Sequence, residues 1–523
     1  MPETRAAKWK GLNEEWDLLI IGGGVTGAGL FRRAVSAGLR TLLIEARDYS
    51  YGTSSRSSKL AHGGLRYLLS KQWEVTRESV REREWLLKAS QGLVQPMGFI
   101  LPYAQRKNMA AQYAYGLAVY DLMAPKWKHI QMSRAATLQK LPVLQADWLA
   151  GSFLYYDSVL DDSRLVLRLI FETVQDGGTA MNYCQAKALL RDATGNVVGV
   201  LAEDRGPEKL GRTELRAKIV VNACGPCSDE LRGNLGLPAR IRPLRGAHLI
   251  FPHQVLPVPY AVTLQHPKDK RAMFAIPWEG STLLGTTDLD HDWQAQSGEP
   301  YCSAEESEYI LQAGQALFPG LGLNLEQVSS SFAGVRPIIR GDAANPSAES
   351  RAHVLWDESG LLTITGGKLT IFRIMAEDTM KAIAVRLGRK FAPMGTWFKA
   401  PMDEASPSAY LNQRHGPLAA GILAPNRPSE AERIPGAPNT WAELRFCARE
   451  EQVIHLDDLL LRRLRVGLLL PEGAKTVMPR VRASVQAELG WDDARWQAEE
   501  ARYFQIYAAA YSPNPSPSSK GAR

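Results

Sequence analysis

Residues 53–67, TSSRSSKLAHGGLRY, bring several kinds of chemistry into one short stretch. Hydroxyl side chains can hydrogen-bond phosphate groups, an arginine can bind phosphate oxygens through two N–H groups, and a histidine can exchange a proton near neutral pH. The two glycines let another group approach the backbone closely. An exposed loop can have this composition, and so can a loop that wraps a large, flat, phosphate-bearing ligand. The neighbouring elements distinguish these two interpretations.

A strand–turn–helix pattern precedes this loop. The apolar run at 18–21 predicts a buried strand, and it leads into GGGVTG at 22–27, which satisfies G-x-G-x-x-G. A helix is expected over 28–38, and a second apolar run, TLLIE, ends in Glu45. Such glycines let the backbone approach a pyrophosphate, the helix N-terminus offers free N–H groups to it, and the acid binds ribose hydroxyls. The pattern predicts a dinucleotide site that includes Gly22, Gly24, Thr26, Gly27 and Glu45.

The glycine pattern by itself fits NAD as well as FAD. The long loop of small residues after Glu45 favours FAD, because a bulky flavin that stays bound needs a segment running along its ribityl chain and ring. Hydroxyl groups suit the pyrophosphate and ribityl chain, and the two glycines permit close approach to the ring. The loop residues assigned to the cofactor are Thr53, Ser54, Ser57, Ser58, Leu60, His62, Gly63 and Gly64.

The composition is that of a globular protein with two or three domains: 523 residues, 45% hydrophobic and 22% charged. The net charge of +7 is compatible with an anionic substrate or an anionic membrane surface. Nucleic-acid binding is not expected, because no basic block is interleaved with aromatic residues. The five scattered cysteines argue against a disulfide framework and fit a reducing compartment. Neither a secretory signal nor a spanning segment is expected, so the chain is predicted to be soluble or to lie on a membrane.

Seven motifs, taken together, resemble the family of FAD-dependent glycerol-3-phosphate dehydrogenases of aerobic respiration. The resemblance extends over roughly residues 15–400. Besides the loop at 53–68, the motifs, in family order, are DDSRLVL at 161–167, RGAHLIF at 245–251, DKRAMFAIPW at 269–278, LGTTD at 284–288, GVRP at 334–337 and GGKLT at 366–370. Such a set is far more specific than any single motif.

The resemblance implies an α/β chain, α+β overall, with a Rossmann-like FAD-binding domain assembled from discontinuous segments. An antiparallel-sheet substrate domain and a C-terminal helical cap complete the expected fold. The expected segments are 14–85, 155–245 and 340–395 for the FAD-binding domain, 86–154 and 246–339 for the substrate domain, 400–510 for the cap and 511–523 for a disordered tail.

The implied reaction is the oxidation of sn-glycerol 3-phosphate to dihydroxyacetone phosphate by hydride transfer to flavin N5, with the electrons passed to ubiquinone or another quinone. The resemblance further implies a cytoplasmic protein held peripherally on the inner face of the cytoplasmic membrane. A homodimer is possible. The match is weakest at 401–440, which is rich in Pro, Ala and Gly.

Three cations are predicted to hold the substrate phosphate. Arg66, Arg336 and Lys368 each follow glycine in a matched motif, and Tyr67 can add a hydrogen bond. Arginine binds phosphate bidentately and lysine adds a point charge. The expectation is that these residues, distant in the chain, converge over the face of the flavin.

Two histidines are candidates for the group that accepts the alcohol proton. His62 and His248 both lie in matched motifs, and either can instead be a structural histidine. His248 is slightly preferred as the base. Arg336 is also expected to stabilise negative charge that develops on the alcohol oxygen or the reduced ring.

The segment GGKLTIFR predicts a glycine turn that enters a helix. Its N-terminal N–H groups favour an anionic reduced flavin. The cofactor residues assigned in this part of the chain are Gly367, Lys368, Leu369 and Thr370, together with Gly225 after an apolar strand.

The pair Cys224 and Cys227 spells C-x-x-C but is embedded among flavoprotein motifs, which argues against thiol–disulfide chemistry. No second Cys/His pair stands at ligand spacing, so no metal site is predicted. Three alternatives to the quinone-linked enzyme remain: an oxidase that reduces oxygen, an amine or amino-acid oxidase-like flavoenzyme, and a non-catalytic flavin-binding protein.

Overall fold

The fold is described from a computed structural model, which covers residues 4–65, 73–90, 92–106, 108–124, 128–144, 147–293, 298–341, 349, 351–400, 408–423 and 428–514. In these ranges the strands are, in chain order, β1 (Glu15–Ile21), β2 (Thr41–Ile44), β3 (Val94–Ala104), β4 (Ile130–Ser133), β5 (Leu149–Leu160), β6 (Thr179–Met181), β7 (Cys184–Arg191), β8 (Val197–Asp204), β9 (Arg212–Asn222), β10 (Ile241–Pro252), β11 (Ala261–Gln265), β12 (Ala272–Trp278), β13 (Ser281–Gly285), β14 (Leu289–Asp290), β15 (Ser330–Ile339), β16 (His353–Glu358) and β17 (Leu361–Gly366).

Apart from the kinked turn Pro471–Ala474, the α-helices of the same ranges are, in chain order, α1 (Arg5–Gly11), α2 (Val25–Ser36), α3 (Trp73–Ala89), α4 (Met109–Met123), α5 (Arg134–Lys140), α6 (Asp162–Gln175), α7 (Ser228–Gly233), α8 (Ala304–Leu317), α9 (Phe372–Leu387), α10 (Ala409–His415), α11 (Ala419–Leu423), α12 (Trp441–Glu450), α13 (Val466–Leu469), α14 (Met478–Val485) and α15 (Asp493–Ala510). A π-helix spans Asp458–Arg463. No helix within the described ranges has both the length and the hydrophobicity that crossing a bilayer requires.

The first sheet has the strand order β16-β17-β9-β1-β2-β6, with β7 and β8 added beside β9. Strand β1 lies in parallel between β2 and β9, and its residues Leu18, Leu19 and Ile20 are fully buried. Such a run is expected of a parallel strand that has helices on both faces. The unit β1-α2-β2 confirms the strand–turn–helix–strand prediction at the start of the chain.

The second sheet has the order β14-β10-β13-β12-β11-β3-β5-β4, with β15 paired to β10. Its pairings are antiparallel except that β3 and β11 run parallel. Strands of the first sheet lie in the segments assigned to the FAD-binding domain, and strands of the second lie in the substrate segments. Only β5 and β10 cross the predicted boundaries. The division into domains itself stays a prediction.

The chain after residue 408 forms helices that cover the second sheet at β15. Ser330 on β15 donates to the carbonyl of Leu468 at 2.6 Å, and Tyr507 donates to the carbonyl of Ser329 at 2.8 Å. The predicted tail at 511–523 is described only to residue 514.

A buried group of ion pairs joins these C-terminal helices to the start of α6 and to the loop that contains Lys59. Two acids at the start of α6 meet cations from three segments: Asp162 pairs with Lys59 at 2.9 Å, and Asp161 pairs with Arg414 at 3.0 Å and with Arg465 at 3.1 Å. We call these five residues the cap cluster. Because unpaired buried charges are strongly unfavourable, the cap cluster fixes how the C-terminal helices sit on the rest of the chain.

Candidate active site

A cavity of about 1140 Å³ lies between the two sheets. Its wall is formed by the carboxyl ends of first-sheet strands, at Ile21 and Ala223, and by second-sheet side chains such as Thr263 and Phe274. Ligands of α/β proteins bind at this edge of the sheet, where adjacent connections leave in opposite directions. The segment 45–65 runs along the cavity and contributes many of its lining residues.

The glycine turn after β1 is shaped for close backbone approach. Gly22 has φ of +115°, and an added Cβ would lie 2.5 Å from the carbonyl oxygen of Ala223. An added Cβ on Gly27 would lie 1.9 Å from the carbonyl oxygen of Gly22. Helix α2 therefore begins directly against the strand, with its N–H groups at the cavity. Both glycines are thus required by contacts within the protein itself, and this glycine cradle, with the start of α2, fits the pyrophosphate of FAD.

Glu45 lies at the end of β2 and lines the cavity. Its carboxylate accepts hydrogen bonds from the backbone N–H groups of Gly23 at 2.7 Å and Arg47 at 2.9 Å. Burial raises the pKa of Glu45 despite these two donors. The acid holds the glycine turn in shape and faces the place expected for a ribose.

The four loop hydroxyl residues assigned to the cofactor all line the cavity, and each also has a protein partner. Ser54 accepts from the N–H of Val25 at 2.9 Å, and Ser57 donates to Asp162 at 2.7 Å. Thr53 donates to the carbonyl of Val335, and Ser58 is 2.9 Å from Nε2 of His248. The hydroxyls thus pin the loop to four different parts of the fold while facing the cavity.

The adjacent glycines of the loop have different surroundings. Gly64 has φ of +80° and lines the cavity. Gly63 does not line it: an added Cβ there would lie 2.2 Å from the hydroxyl of Tyr120 and 2.4 Å from Val80. The close approach that requires glycine at 63 is therefore to protein side chains, and a contact of Gly63 with the ring stays a prediction.

A group of cations faces the cavity around one acid. Asp288 pairs with Arg336 at 3.0 Å, with Arg351 at 3.3 Å and with Arg271 at 3.5 Å. We call these four residues the cavity cluster, and all four line the cavity. Because three guanidinium groups share one carboxylate, the cluster carries a surplus of positive charge that suits an anionic ligand.

The segment GGK forms the turn that was predicted, and the helix follows it. Gly366 and Gly367 have φ of +78° and +65°. A 3-10 turn over Leu369–Ile371 leads into α9, which ends at Leu387. Lys368 donates to Ser79 of α3 and lines the cavity with Gly367, Leu369 and Thr370.

The two candidate histidines occupy different positions. His62 lines the cavity. His248 is 2% exposed, stacks on Phe332 at 4.8 Å between ring centroids and is hydrogen-bonded to Ser58, which lines the cavity. Burial, together with the nearby charge of Arg336, lowers the pKa of His248 well below its usual value, so this ring is neutral at physiological pH.

Most of the predicted site residues come together in one cavity. Those that line it are Gly22, Gly24, Thr26, Glu45, Thr53, Ser54, Ser57, Ser58, Leu60, His62, Gly64, Gly225, Arg336, Gly367, Lys368, Leu369 and Thr370. Gly27, Gly63 and His248 lie behind its wall. Arg66 and Tyr67 lie outside the described residues, so their predicted contact with phosphate remains a prediction.

Sequence reasoning missed two cations and the acid that organises them. Arg271 and Asp288 lie in DKRAMFAIPW and LGTTD, which contributed to the resemblance but were given no chemistry. For Arg271, the signal in the sequence was its position directly after another cation inside a matched motif. Arg351 follows a segment without a recognisable motif, and only the fold brings it to Asp288.

The C-x-x-C pair lies at the nucleotide end of the cavity, in a 3-10 turn over Gly225–Cys227. Burial raises the pKa of Cys227 to about 12 and that of Cys224 well above its usual value. Both thiols therefore stay protonated near neutral pH, whereas the thiolate is the nucleophile in disulfide exchange. This electrostatic setting agrees with the interpretation of the pair as part of the cofactor-site wall.

The fold, the glycine cradle and the large cavity define an FAD-dependent oxidoreductase. Residues 17–373 match the family model described as FAD dependent oxidoreductase, and residues 368–496 match the model for the C-terminal domain of alpha-glycerophosphate oxidase.

Similar proteins identify the family to which this chain belongs more narrowly. The chain is 32% identical to "Glycerol-3-phosphate dehydrogenase" of Mycobacterium leprae over 96% of this chain and 90% of that protein. It is 37% identical to "Aerobic glycerol-3-phosphate dehydrogenase" of Bacillus subtilis over 71% of this chain and 67% of that protein. The solved glycerol-3-phosphate dehydrogenase from Bacillus halodurans, complexed with FAD, superposes with a TM-score of 0.77 at 27% identity and covers 99% of both chains. The chain belongs to the family of FAD-dependent glycerol-3-phosphate dehydrogenases.

Proposed function

We propose that this enzyme oxidises sn-glycerol 3-phosphate to dihydroxyacetone phosphate and passes the electrons to a quinone. The observation that carries the substrate assignment is the cavity cluster, with Lys368 nearby on the same cavity. A phosphate dianion needs several cations, whereas the carboxylate of an amino acid needs a single arginine. The positive surplus therefore favours a phosphorylated alcohol over an amino acid.

In this proposal Arg336 and Lys368 bind the phosphate group, together with Arg66 and Tyr67 from outside the described residues. Arg271 and Arg351 add positive charge from the other side of Asp288. Fixing the phosphate holds the secondary alcohol carbon at one place in the cavity, which converts binding energy into orientation.

FAD, when bound, supplies the acceptor to which the hydrogen on that carbon is transferred as a hydride. Gly22, Gly24, Thr26, Glu45 and Gly225 would hold its nucleotide part, and the loop hydroxyls and Thr370 would hold the part nearer the ring. Backbone N–H groups at the 3-10 turn Leu369–Ile371 would favour negative charge on the ring.

The alcohol O–H bond breaks as its proton passes to a base. We propose His62 as the direct acceptor, because its side chain lines the cavity. His248 can take part through the hydroxyl of Ser58, since Nε2 and Oγ are 2.9 Å apart. Arg336 would stabilise the oxygen as its negative charge develops.

Anaerobic reduction tests the substrate assignment. Glycerol 3-phosphate added to the purified yellow protein is expected to bleach the flavin absorbance, and glycerol or glycine at the same concentration is expected to leave it unchanged. Bleaching by glycine but not by glycerol 3-phosphate would overturn the proposal in favour of an amino-acid oxidase.

Reoxidation of the bleached protein tests the acceptor. A quinone is expected to restore the yellow colour within seconds and air much more slowly. Because the C-terminal helices match a domain described for alpha-glycerophosphate oxidase, oxygen is the competing acceptor. Rapid oxygen uptake with release of peroxide would establish an oxidase instead.

Separate replacement of the two histidines tests the proton acceptor. His62→Asn is expected to lower kcat by roughly 10²–10⁴-fold, the usual contribution of a general base. His248→Gln, which preserves a donor or acceptor toward Ser58, is expected to have a smaller effect. The reverse order of effects would make His248 the principal base.

A further inference from the structure

The residues before His62 are paired with strand β5. Leu60 forms an antiparallel bridge with Val159. The N–H of Ala61 donates to the carbonyl of Ser158 at 3.1 Å, and the hydroxyl of Ser158 donates back to the carbonyl of Ala61. The loop that carries the proposed base therefore runs beside β5 in a fixed register, as a strand would.

This pairing determines which side chains face the cavity. Leu60 and His62 both line it. Ala61 is fully buried, and an added Cβ on Gly63 would lie 2.2 Å from the hydroxyl of Tyr120. Side chains of an extended segment point alternately to opposite sides, so a shift of one residue along β5 would turn the imidazole away from the cavity. Correct placement of the base thus depends on the contact that ends this pairing.

Asp157 of β5 makes that final contact. Its Oδ1 accepts a hydrogen bond from the N–H of Gly63 at 3.0 Å. The same oxygen accepts from Nη1 of Arg83 on α3 at 3.1 Å, and Oδ2 accepts from the hydroxyl of Tyr120 on α4 at 2.9 Å. Asp157 is 4% exposed and lines the cavity. One carboxylate therefore joins the residue after His62 to a strand and two helices.

Arg83 and Tyr120 hold this carboxylate in one orientation. Both side chains are buried, and Nη1 of Arg83 also donates to the hydroxyl of Tyr120 at 3.1 Å. The acid, the guanidinium and the phenol thus form a closed triangle of hydrogen bonds. Rotation of the carboxylate would leave a buried donor without its acceptor, which is strongly unfavourable. The N–H of Gly63 therefore meets an acceptor whose position is fixed.

We propose that Asp157 is a positioning residue for His62: by holding the N–H of Gly63, it fixes the imidazole where it can take the alcohol proton. A general base must lie within hydrogen-bond reach of that proton, so a small displacement of the loop slows the reaction. This inference rests on the proposed role of His62 as the proton acceptor. It assigns no contact between Asp157 and the substrate.

Replacement of Asp157 in the full-length, FAD-loaded protein tests the proposal. Asp157→Ala is expected to lower kcat by roughly 10²-fold, the cost of displacing a reacting group by about 1 Å. KM for glycerol 3-phosphate should stay within about threefold, because the phosphate-binding cations are unchanged. Asp157→Asn keeps an oxygen that can accept from Gly63, so its kcat should lie within about tenfold of wild type. A raised KM with an unchanged kcat would make Asp157 a substrate-binding residue and overturn the proposal.

A double-mutant cycle with His62→Asn separates positioning from a general loss of structure. If Asp157 acts through His62, adding Asp157→Ala to His62→Asn should lower kcat by less than about threefold more. A purely structural role, or a direct contact with substrate, predicts that the two losses multiply. Multiplying losses would therefore refute the positioning role alone. A wild-type kcat in His62→Asn would refute the proposed proton acceptor itself.

Tyr120→Phe tests the same contact without removing the buried acid, and it decides the matter if the Asp157 variants do not fold. It leaves the pair of Asp157 with Arg83 in place, so kcat should fall only about three- to tenfold, and not further in the His62→Asn background. Asp121→Asn is the matched control on the next residue of α4, where the carboxylate accepts from His129 at 2.7 Å and does not line the cavity. Its kcat should equal that of wild type. Equal kcat in Tyr120→Phe, Asp121→Asn and wild type would overturn the proposal.

Discussion

Two groups of charged residues in this chain differ in charge balance: the cavity cluster has three cations to one acid, whereas the cap cluster, taken with Glu443, has three cations to three acids. In the cavity cluster, Arg271, Arg336 and Arg351 all pair with the carboxylate of Asp288. In the cap cluster, Lys59, Arg414 and Arg465 meet two carboxylates, and Arg414 also pairs with Glu443 at 2.9 Å.

The difference separates a binding role from a structural one. A balanced, fully buried group stabilises one arrangement of the chain and offers nothing to a ligand. When a group with surplus positive charge lies at the wall of a cavity, a bound anion neutralises that charge. We therefore expect the cap cluster to control stability and the cavity cluster to control catalysis.

The largest expected effect is on stability. Arg465→Met leaves Asp161 and Asp162 without one of their buried partners, which should cost about 3–5 kcal/mol in free energy of unfolding. The Tm of the FAD-loaded protein, followed by flavin fluorescence, should fall by several degrees. KM for glycerol 3-phosphate should stay within about twofold, because Arg465 does not line the cavity.

Arg216→Met is the control for that change, because Arg216 forms an exposed pair with Glu214. Exposed pairs contribute little, so its Tm should match wild type. A loss of substrate affinity in Arg465→Met without a loss of Tm would contradict the division of roles.

The second effect is on catalysis. Arg336→Ala removes a cation from the cavity cluster and should lower kcat/KM by roughly 150-fold, which corresponds to about 3 kcal/mol. The Tm should change little, because Arg336 faces the cavity. Arg340→Ala, an exposed arginine just beyond the end of the same strand, should behave as wild type. Similar kcat/KM values for both variants would remove Arg336 from the phosphate site.

A smaller effect concerns His248, which lies between the two clusters. Besides burial, the charges of Arg336 and Arg271 in the cavity cluster and of Lys59 in the cap cluster lower its pKa. Its pKa is depressed in the folded state, so below pH 6.5 the unfolded chain takes up a proton that the folded chain does not. The contribution of His248 to the free energy of unfolding is therefore fully present above pH 6.5 and declines as the pH falls.

Between pH 6.5 and 5.5 the loss should be about 1 kcal/mol. His248→Gln cannot titrate, so its Tm should fall less steeply over that interval than the Tm of wild type. Parallel curves would show that the folded ring is protonated as readily as the unfolded one.

The smallest effect is expected at the C-x-x-C pair, which belongs to neither cluster. The double variant Cys224→Ser/Cys227→Ser should keep kcat within about twofold, because both thiols are protonated and no thiolate chemistry is required. Iodoacetamide at pH 7.5 should label neither cysteine in the folded protein. Rapid labelling of Cys227 would indicate a reactive thiol.

The cofactor half of the site could be predicted from sequence because its residues are local to short patterns. Gly22, Gly27 and Glu45 lie within a single β-α-β unit, where spacing determines geometry. The cavity cluster could not be predicted in the same way. Asp288 and Arg351 are brought together by strands that pair across long stretches of chain, and periodicity contains no information about which distant cations meet.

For a related reason, the sequence could not decide which histidine accepts the proton. Both His62 and His248 lie in matched motifs, and only burial distinguishes them. A strand that is buried on both faces hides His248, whereas the loop exposes His62 to the cavity. The cap was predicted as helical, yet its buried pairs with Asp161 and Asp162 depend on a packing that no local pattern specifies.

The order of strands in the first sheet has a consequence for how the enzyme matures. The neighbours of β1 include β9, which ends at Asn222, and β9 in turn pairs with β17, which ends at Gly366. The nucleotide-binding site is therefore incomplete on a nascent chain until about seven-tenths of that chain has left the ribosome. Cofactor loading is therefore expected late in synthesis, and the yellow colour of a preparation reports the folding of the chain at least as far as β17.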